Sequence, residues 1–484
     1  MTKTSPASQS SAAPVAFEGT CPDRARPLVL AACIVASAMG FIDGTVVSIA
    51  LPAMRESLGA SLPQAQWFSN AYMLFLSALI LAGGAVGDKL GQARVFKWGI
   101  AAFVVASLAC AFAPSPEFMI AARAAKGMAA AFMVPGSLAL ISRTYPRAER
   151  GRAIGIWAAA SALTTAAGPI IGGIVLTAGG PEMWRWIFAV NLPLGLLALG
   201  LLARAITRDP AADETPLDWQ GALLATAALA ALAWGLTILQ TGAALPYLLG
   251  ALAFGAAFLW HEARSPHPMM PLSLFRSPVF AAANAATFLL YMSLAAIMFF
   301  LPMTVITTWG VSEIEAAAAF APLSVFISTL SSWVGRLADR HGPARIIAAG
   351  AGIVALSYAA LAATAPLQNF WFAVMPAMVV TGFGMALVVA PLSTAVMTAV
   401  EDSQNGIASG INNALSRMAS LVAIAAFGSV AAIAYGAAGG PASFGEDMGG
   451  ALHAAATTMG FVWTAALSSA LAAGSAAIMW YSRG

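Results

Sequence analysis

Fourteen apolar stretches divide this 484-residue chain, and they leave it one class of fold. They run over 28–52, 64–86, 95–114, 117–142, 152–178, 184–204, 217–240, 245–263, 279–308, 314–337, 345–365, 370–398, 405–436 and 453–481. A helix needs about 20 mostly apolar residues to cross ~30 Å of hydrocarbon. The longer stretches leave room for tilt or an interfacial turn. Only 9% of the residues are Asp, Glu, Lys or Arg, against about 25% in a soluble domain. In lipid the backbone must satisfy its own hydrogen bonds, which favours helices for segments this long. The expected fold is an all-α polytopic membrane protein.

Charge sets the orientation. All but five of the 23 Lys and Arg fall on the side of the N-terminus; the exceptions are Arg55 and Arg185 on the other side, and Arg123, Lys126 and Arg417 inside spans. Basic loops stay cytoplasmic, so both termini are expected in the cytoplasm. Residues 1–27 are rich in Ser, Ala and Pro and read as a disordered cytoplasmic tail. The first apolar run is too long for a cleaved signal, so it should stay as an anchor. Cys21, Cys33 and Cys110 show no metal or disulfide spacing. Nothing resembles a nucleotide-binding loop, a zinc site or a catalytic Ser/His/Asp set. An enzyme, a metal site, a cofactor and a nucleic-acid partner are therefore not expected. The Ala/Gly-rich composition points to a bacterial plasma membrane.

Between the second and third spans stands Gly84-Ala-Val-Gly-Asp88-Lys89-Leu-Gly91-Gln-Ala-Arg94. Its skeleton returns 251 residues later as Gly335-Arg-Leu-Ala-Asp339-Arg340-His-Gly342-Pro-Ala-Arg345. A repeat at fixed offset divides the chain into related parts. The early Gly is expected to admit a neighbouring helix closely. The Asp is expected to accept from a helix N-terminus, and the second Gly to turn with positive φ. The last Arg can pair with a carboxylate or rest at the lipid surface. The repeat makes spans 9–14 the counterpart of spans 1–6, with spans 7 and 8 inserted.

Both loops resemble the loop between helices 2 and 3 of the major facilitator superfamily and its copy in the second half. The resemblance implies alternating access, with these loops as a cytoplasmic latch. The layout of six, two and six spans is that of the superfamily's fourteen-helix drug:proton antiporters. It implies a disordered tail at 1–27, a first six-helix half at 28–204, two inserted helices with linkers at 205–278 and a second half at 279–484.

The first span ends Phe41-Ile-Asp43-Gly-Thr45-Val-Val-Ser48-Ile-Ala-Leu51-Pro52. Asp43 is the one acid placed well inside a span, and a charge there is costly. It is either a protonation site or half of a fixed ion pair. The run resembles the antiporters' first-helix signature, with Ser48 where Asn is usual; this implies a proton and substrate role for Asp43. Position 294, its counterpart in the second half, is Leu, so ion coupling belongs to the first half. Arg123-Ala-Ala-Lys126-Gly127 resembles the family's Arg-x-x-Gln-Gly, whose Arg is linked to proton transfer. Arg123 can snorkel outward or pair with Asp43. Lys126 departs from the pattern and shares a face with Arg123, which makes an anionic or zwitterionic substrate more plausible than the usual cation. Gly168-Pro169-Ile-Ile-Gly172-Gly173 is similar to the antiporter motif of proton-driven exporters. As chemistry it is a small-residue packing face with a kink.

Asn70 and Tyr72, after a Trp67 that reads as an interfacial anchor, are expected to face the pathway. So are Lys126, and Asn284, Tyr291 and Met292 of the ninth span, where Met and aromatic residues form either a pliable ligand surface or core. Asn412 and Arg417 make the thirteenth span polar, as a functional site or a structural pair. The expected function is a proton-coupled exporter of drug-like or amphipathic small molecules, working as a monomer in the bilayer and driven by the proton gradient without cofactor. Export of one endogenous metabolite or lipid is an alternative, as is a sensor or scaffold without transport.

Overall fold

Caps and prolines set where the helices begin and break. The computed structural model describes residues 21–206, 209, 217–401 and 404–482. Helices α1 (Arg26–Leu58), α2 (Leu62–Leu90), α3 (Gln92–Ala111), α4 (Pro116–Thr144) and α5 (Arg147–Gly179) come first. The sixth span is broken into α6 (Trp184–Ala189) and α7 (Asn191–Ala205). Then come α8 (Trp219–Thr237), α9 (Leu245–Arg264) and α10 (Pro278–Thr308). The next span is also broken, into α11 (Glu313–Ala318) and α12 (Ala321–His341). Last are α13 (Pro343–Thr364), α14 (Met375–Thr398), α15 (Asn405–Ala437) and α16 (Ala451–Tyr481). Ser61 opens α2 with a capping box closed by Gln64, and Ser312 opens α11 with one closed by Glu315. Each broken span has a proline just past the break. Pro193 and Pro322 lack the N–H that would bond the carbonyls of Ala189 and Ala318, the last residues of α6 and α11.

Thirteen helical runs among the described residues are long and apolar enough to cross a membrane. Fourteen spans are expected from the sequence, and α9 is compatible with the remaining one: it has the length at 20 residues but carries His261, Glu262 and Arg264 in its last turn.

The packing repeats. Helix α1 lies against α5 and α7, α2 against α4, and α3 against α4 and α7. In the same relation α10 lies against α15 and α16, α12 against α14, and α13 against α14 and α16. Small residues allow the closest crossings. A Cβ on Gly350 would stand 2.6 Å from the carbonyl oxygen of Gly384, and one on Gly99 3.1 Å from the backbone nitrogen of Met133. The two groups meet through α1 with α10, α2 with α15, and α5 with α11 and α12. Helices α8 and α9 pair with each other, and α8 also rests on α2 and α15.

One half-buried carboxylate holds that pair together. Asp218 accepts from the Gly221 amide at 2.8 Å, which caps α8, and from the Met269 amide at 3.4 Å. It also lies 2.7 Å from Nε2 of His261 on α9. Glu262 beside it is buried and accepts from the Met270 amide at 2.8 Å. Asp218→Ala removes a cap and strands half-buried donors. It is expected to cost about 2 kcal/mol, read as a lower Tm and faster proteolysis of the 265–277 connection.

Candidate functional site

The most concentrated chemistry lies between α1 and α4. Asp43 is 2% exposed. Its two oxygens each accept one cation at 2.5 Å: Oδ2 from Nη1 of Arg123 and Oδ1 from Nζ of Lys126. The spacing of three puts both bases on one face of α4, turned toward α1. Arg123 spends its Nε on the Phe68 carbonyl at 2.6 Å. Its guanidinium lies 4.5 Å from the Tyr72 ring centre, and the Lys126 ammonium lies 4.7 Å from the rings of both Phe103 and Phe188. Aromatic faces attract desolvated cations, so Tyr72, Phe103 and Phe188 offset part of the excess positive charge.

A cavity of about 510 Å³ opens beside this cluster, between the two packing groups. Gly44, Thr45 and Ser48 of α1 line it, as do Arg123, Tyr291 of α10 and Arg417 of α15. Asp43 stands behind this wall. Of the residues expected to face the pathway, only Tyr291 and Arg417 line this cavity. Asn70, Tyr72 and Lys126 are buried instead around α2 and α4. Asn412 bonds Asn284 at 3.0 Å and Thr287 at 2.8 Å, so both asparagines join α15 to α10. Met292 is half-buried against the apolar core. Sequence reading missed the hydroxyl pairs Ser161/Thr165 and Ser324/Ser328, which line the cavity from α5 and α12. Their spacing of four on facing helices was the available signal.

The Gly-Pro run of α5 packs on α1 beside Asp43. A Cβ on Gly168 would meet the backbone of Ile42 at 3.2 Å, and one on Gly172 would meet Val46 at 2.7 Å. Pro169 cannot donate to the Thr165 carbonyl, and Thr45 of α1 donates to it at 3.3 Å. Gly173 faces α11: its Cβ would stand 2.8 Å from the Glu313 oxygen and the Ile314 Cα.

Contacts between the groups gather at the end away from the chain termini. Arg55, 6% exposed, donates to the Phe444 carbonyl at 2.6 Å and to the Ser443 hydroxyl at 2.9 Å. Thr177 donates to Glu313 at 3.1 Å. These contacts join the two groups at that end.

The repeated loops differ from expectation in three respects. Gly91 and Gly342 do adopt positive φ, 100° and 83°. Close approach, however, occurs at Gly83, whose Cβ would lie 2.8 Å from the Ala131 carbonyl carbon; Gly84 has 3.9 Å of room and Gly335 more than 4 Å. The helix rotation puts the neighbouring position on the contact face. Asp88 bonds side chains rather than a helix N-terminus: Arg143 at 2.6 Å and Gln92 at 2.9 Å. The carboxylate at the start of α3 is Asp209, which accepts from the Arg94 amide at 2.6 Å. Among the described residues Asp339 makes no ion pair. Arg94, Arg340 and Arg345 are exposed and Lys89 is half-buried. Because the Asp88 side chain is 48% exposed, Asp88→Asn is expected to cost no more than about 1 kcal/mol. Thermal unfolding would show a larger loss if the pair were sealed from water.

The Major Facilitator Superfamily model matches residues 33–424. The methylenomycin A resistance protein of Streptomyces coelicolor is 32% identical over 410 residues, covering 82% of this chain and 85% of that protein. The multidrug resistance protein Stp of Mycobacterium tuberculosis is 32% identical over 416 residues, 85% and 76% of the two chains. The tetracenomycin C resistance and export protein of Streptomyces glaucescens is 29% identical, covering 84% and 76%. Among solved structures, a bacterial homologue of the human lysosomal transporter Spinster, inward-facing and unoccupied, superposes with a TM-score of 0.69. It is 16% identical and covers 96% of this chain and 99% of its own. A D-xylose–proton symporter gives 0.62 at 15% identity, covering 94% and 95%. These two show the fold.

Proposed function

The chain belongs to the Major Facilitator Superfamily, and from that premise we propose that it is a proton-coupled exporter of drug-like small molecules. The observation that carries this reading is Asp43, sealed between Arg123 and Lys126 while Arg123 also forms part of the cavity wall. A carboxyl in such balance is suited to taking and releasing a proton as the surrounding helices move. The resistance and export proteins that the chain resembles support the outward direction. So does the Gly168–Gly173 run packed against α1 beside the acid.

We assign proton coupling to Asp43 and Arg123, and the latch to the two loops at 84–94 and 335–345. The division into halves at 28–204 and 279–484, with an insertion at 205–278, belongs to the same proposal and is supported by the repeated packing. The protein acts as a monomer without cofactor or catalysis, in a bacterial plasma membrane with both termini in the cytoplasm. In that orientation the contacts of Arg55 and Thr177 close the outer face. Each charge moving down the membrane potential supplies ~2.3 kcal/mol per 100 mV.

The test is proton movement in proteoliposomes holding a pH-sensitive dye, challenged with cationic, neutral and anionic compounds. Compound-evoked proton release is expected from the wild type. Compound flux with no proton movement would remove the coupling from the proposal.

A further inference from the structure

We propose that Arg417 makes the central cavity a binding site for organic anions, with an amphipathic carboxylate or phenolate as cargo. The inference rests on reading that cavity as the cargo site. It begins from the charges around the cavity. Both oxygens of Asp43 are taken by cations, and the residue is 2% exposed. Among the described residues no Asp or Glu lines the cavity, whereas Arg123 and Arg417 both do. Arg123 and Lys126 hold the one acid, and a third base, Arg417, lines the cavity apart from that pair.

The two arginines differ in what they have left to offer. Arg123 is committed to Asp43 and to the Phe68 carbonyl. Arg417 is held from one side only, with its Nε donating to Oδ1 of Asn413 at 2.9 Å. A guanidinium carries five N–H donors in a planar fork. Among the described residues no carboxylate meets Arg417, and its terminal nitrogens keep their donors for a ligand. That fork matches a carboxylate with two parallel hydrogen bonds. The remaining walls suit an aromatic or aliphatic body, with Tyr291, Leu294 and Met298 on α10 and Ile327 on α12. A cationic ligand in the same place would face two guanidiniums with no acid between them.

The test uses three probes that share one body: pyrenebutyrate, pyrenebutanol and pyrenebutyl-trimethylammonium. Their binding to the full chain in nanodiscs is measured by fluorescence anisotropy and corrected for empty discs. The carboxylate is expected to bind roughly tenfold or more tightly than the alcohol, the increment of a charge-assisted bond, and the ammonium more weakly than either. Arg417→Gln should erase the advantage of the carboxylate over the alcohol. Arg417→Lys, which keeps the charge without the fork, should retain part of it. An ammonium that binds as tightly as the carboxylate, an advantage that survives in Arg417→Gln, or no carboxylate binding above empty discs would each overturn the proposal. The wild-type comparison stands without any variant. No proton moves in this measurement, so its failure leaves the exporter reading intact, and a failure of proton coupling leaves the anion site intact.

Discussion

Asp43→Asn should abolish compound-evoked proton release and also lower stability by about 3–5 kcal/mol, the usual result of removing one partner from a buried ion pair. The amide keeps the shape of the side chain but leaves Arg123 and Lys126 as two buried cations one helical turn apart. Loss of activity alone would not separate a coupling role from a folding role, and a second substitution does. Adding Lys126→Met removes one cation and replaces its stem with an apolar chain that fits against Phe103 and Phe188. Arg123 then keeps the Phe68 carbonyl and the Tyr72 ring. The double variant should regain most of the lost stability, measured by thermal unfolding in detergent, and remain uncoupled. Proton release recovered along with stability would mean that Asp43 serves the fold and that another group carries the proton.

Gly173→Val should yield a folded protein that cannot close its outer face. The added Cβ would stand 2.8 Å from backbone atoms of α11, which belongs to the opposite packing group. Backbone cannot move aside as a flexible side chain can. Overpacking of this kind costs about 1–3 kcal/mol, here borne by the closed arrangement alone. At 1.4 kcal/mol per factor of ten, roughly, the balance should shift toward the open arrangement by one to two orders of magnitude. A cysteine in place of Ser48, which lines the cavity, would report the shift through faster labelling by an impermeant maleimide from outside. Gly200→Ala, with nothing within 4 Å of its added carbon, should change neither labelling nor transport. Labelling unchanged in Gly173→Val would mean that this crossing is not part of the closure.

The sequence made the spans and the repeated loop legible because both are local signals. The spans follow from runs of apolar residues, whereas the breaks beside Pro193 and Pro322 show only in the structure. The pairing of Arg123 and Lys126 on one face was also legible, from a spacing of three. The faces turned toward the cavity were not, because helix rotation depends on every neighbouring contact. Asn284 and Asn412 looked available for a ligand, yet they satisfy each other across 128 residues. Gly83 and Gly84 differ by one position, about 100° around a helix, and only the packed structure says which one meets α4. Arg55 looked like an ordinary loop base. Its partners at Ser443 and Phe444 lie 388 and 389 residues away, beyond any pattern read along the chain.

Helix α8 and the connection before it are tied to both packing groups. Near the chain termini, Asp209 in the connection leading to α8 is bonded to the start of α3. At the far end, Trp234 in the last turn of α8 packs at a tilt against Trp67 of α2, with ring centres 5.6 Å apart. In the same turn, the Leu236 carbonyl accepts from Ser429 of α15 at 2.7 Å. Helix α8 is therefore a strap laid across the seam. Any swing of one group against the other must stretch it, twist it or release one of its fastenings. Whatever this strap tolerates sets the travel of the two groups, and one of its fastenings, Trp67, is the chain neighbour of Phe68, whose carbonyl holds Arg123.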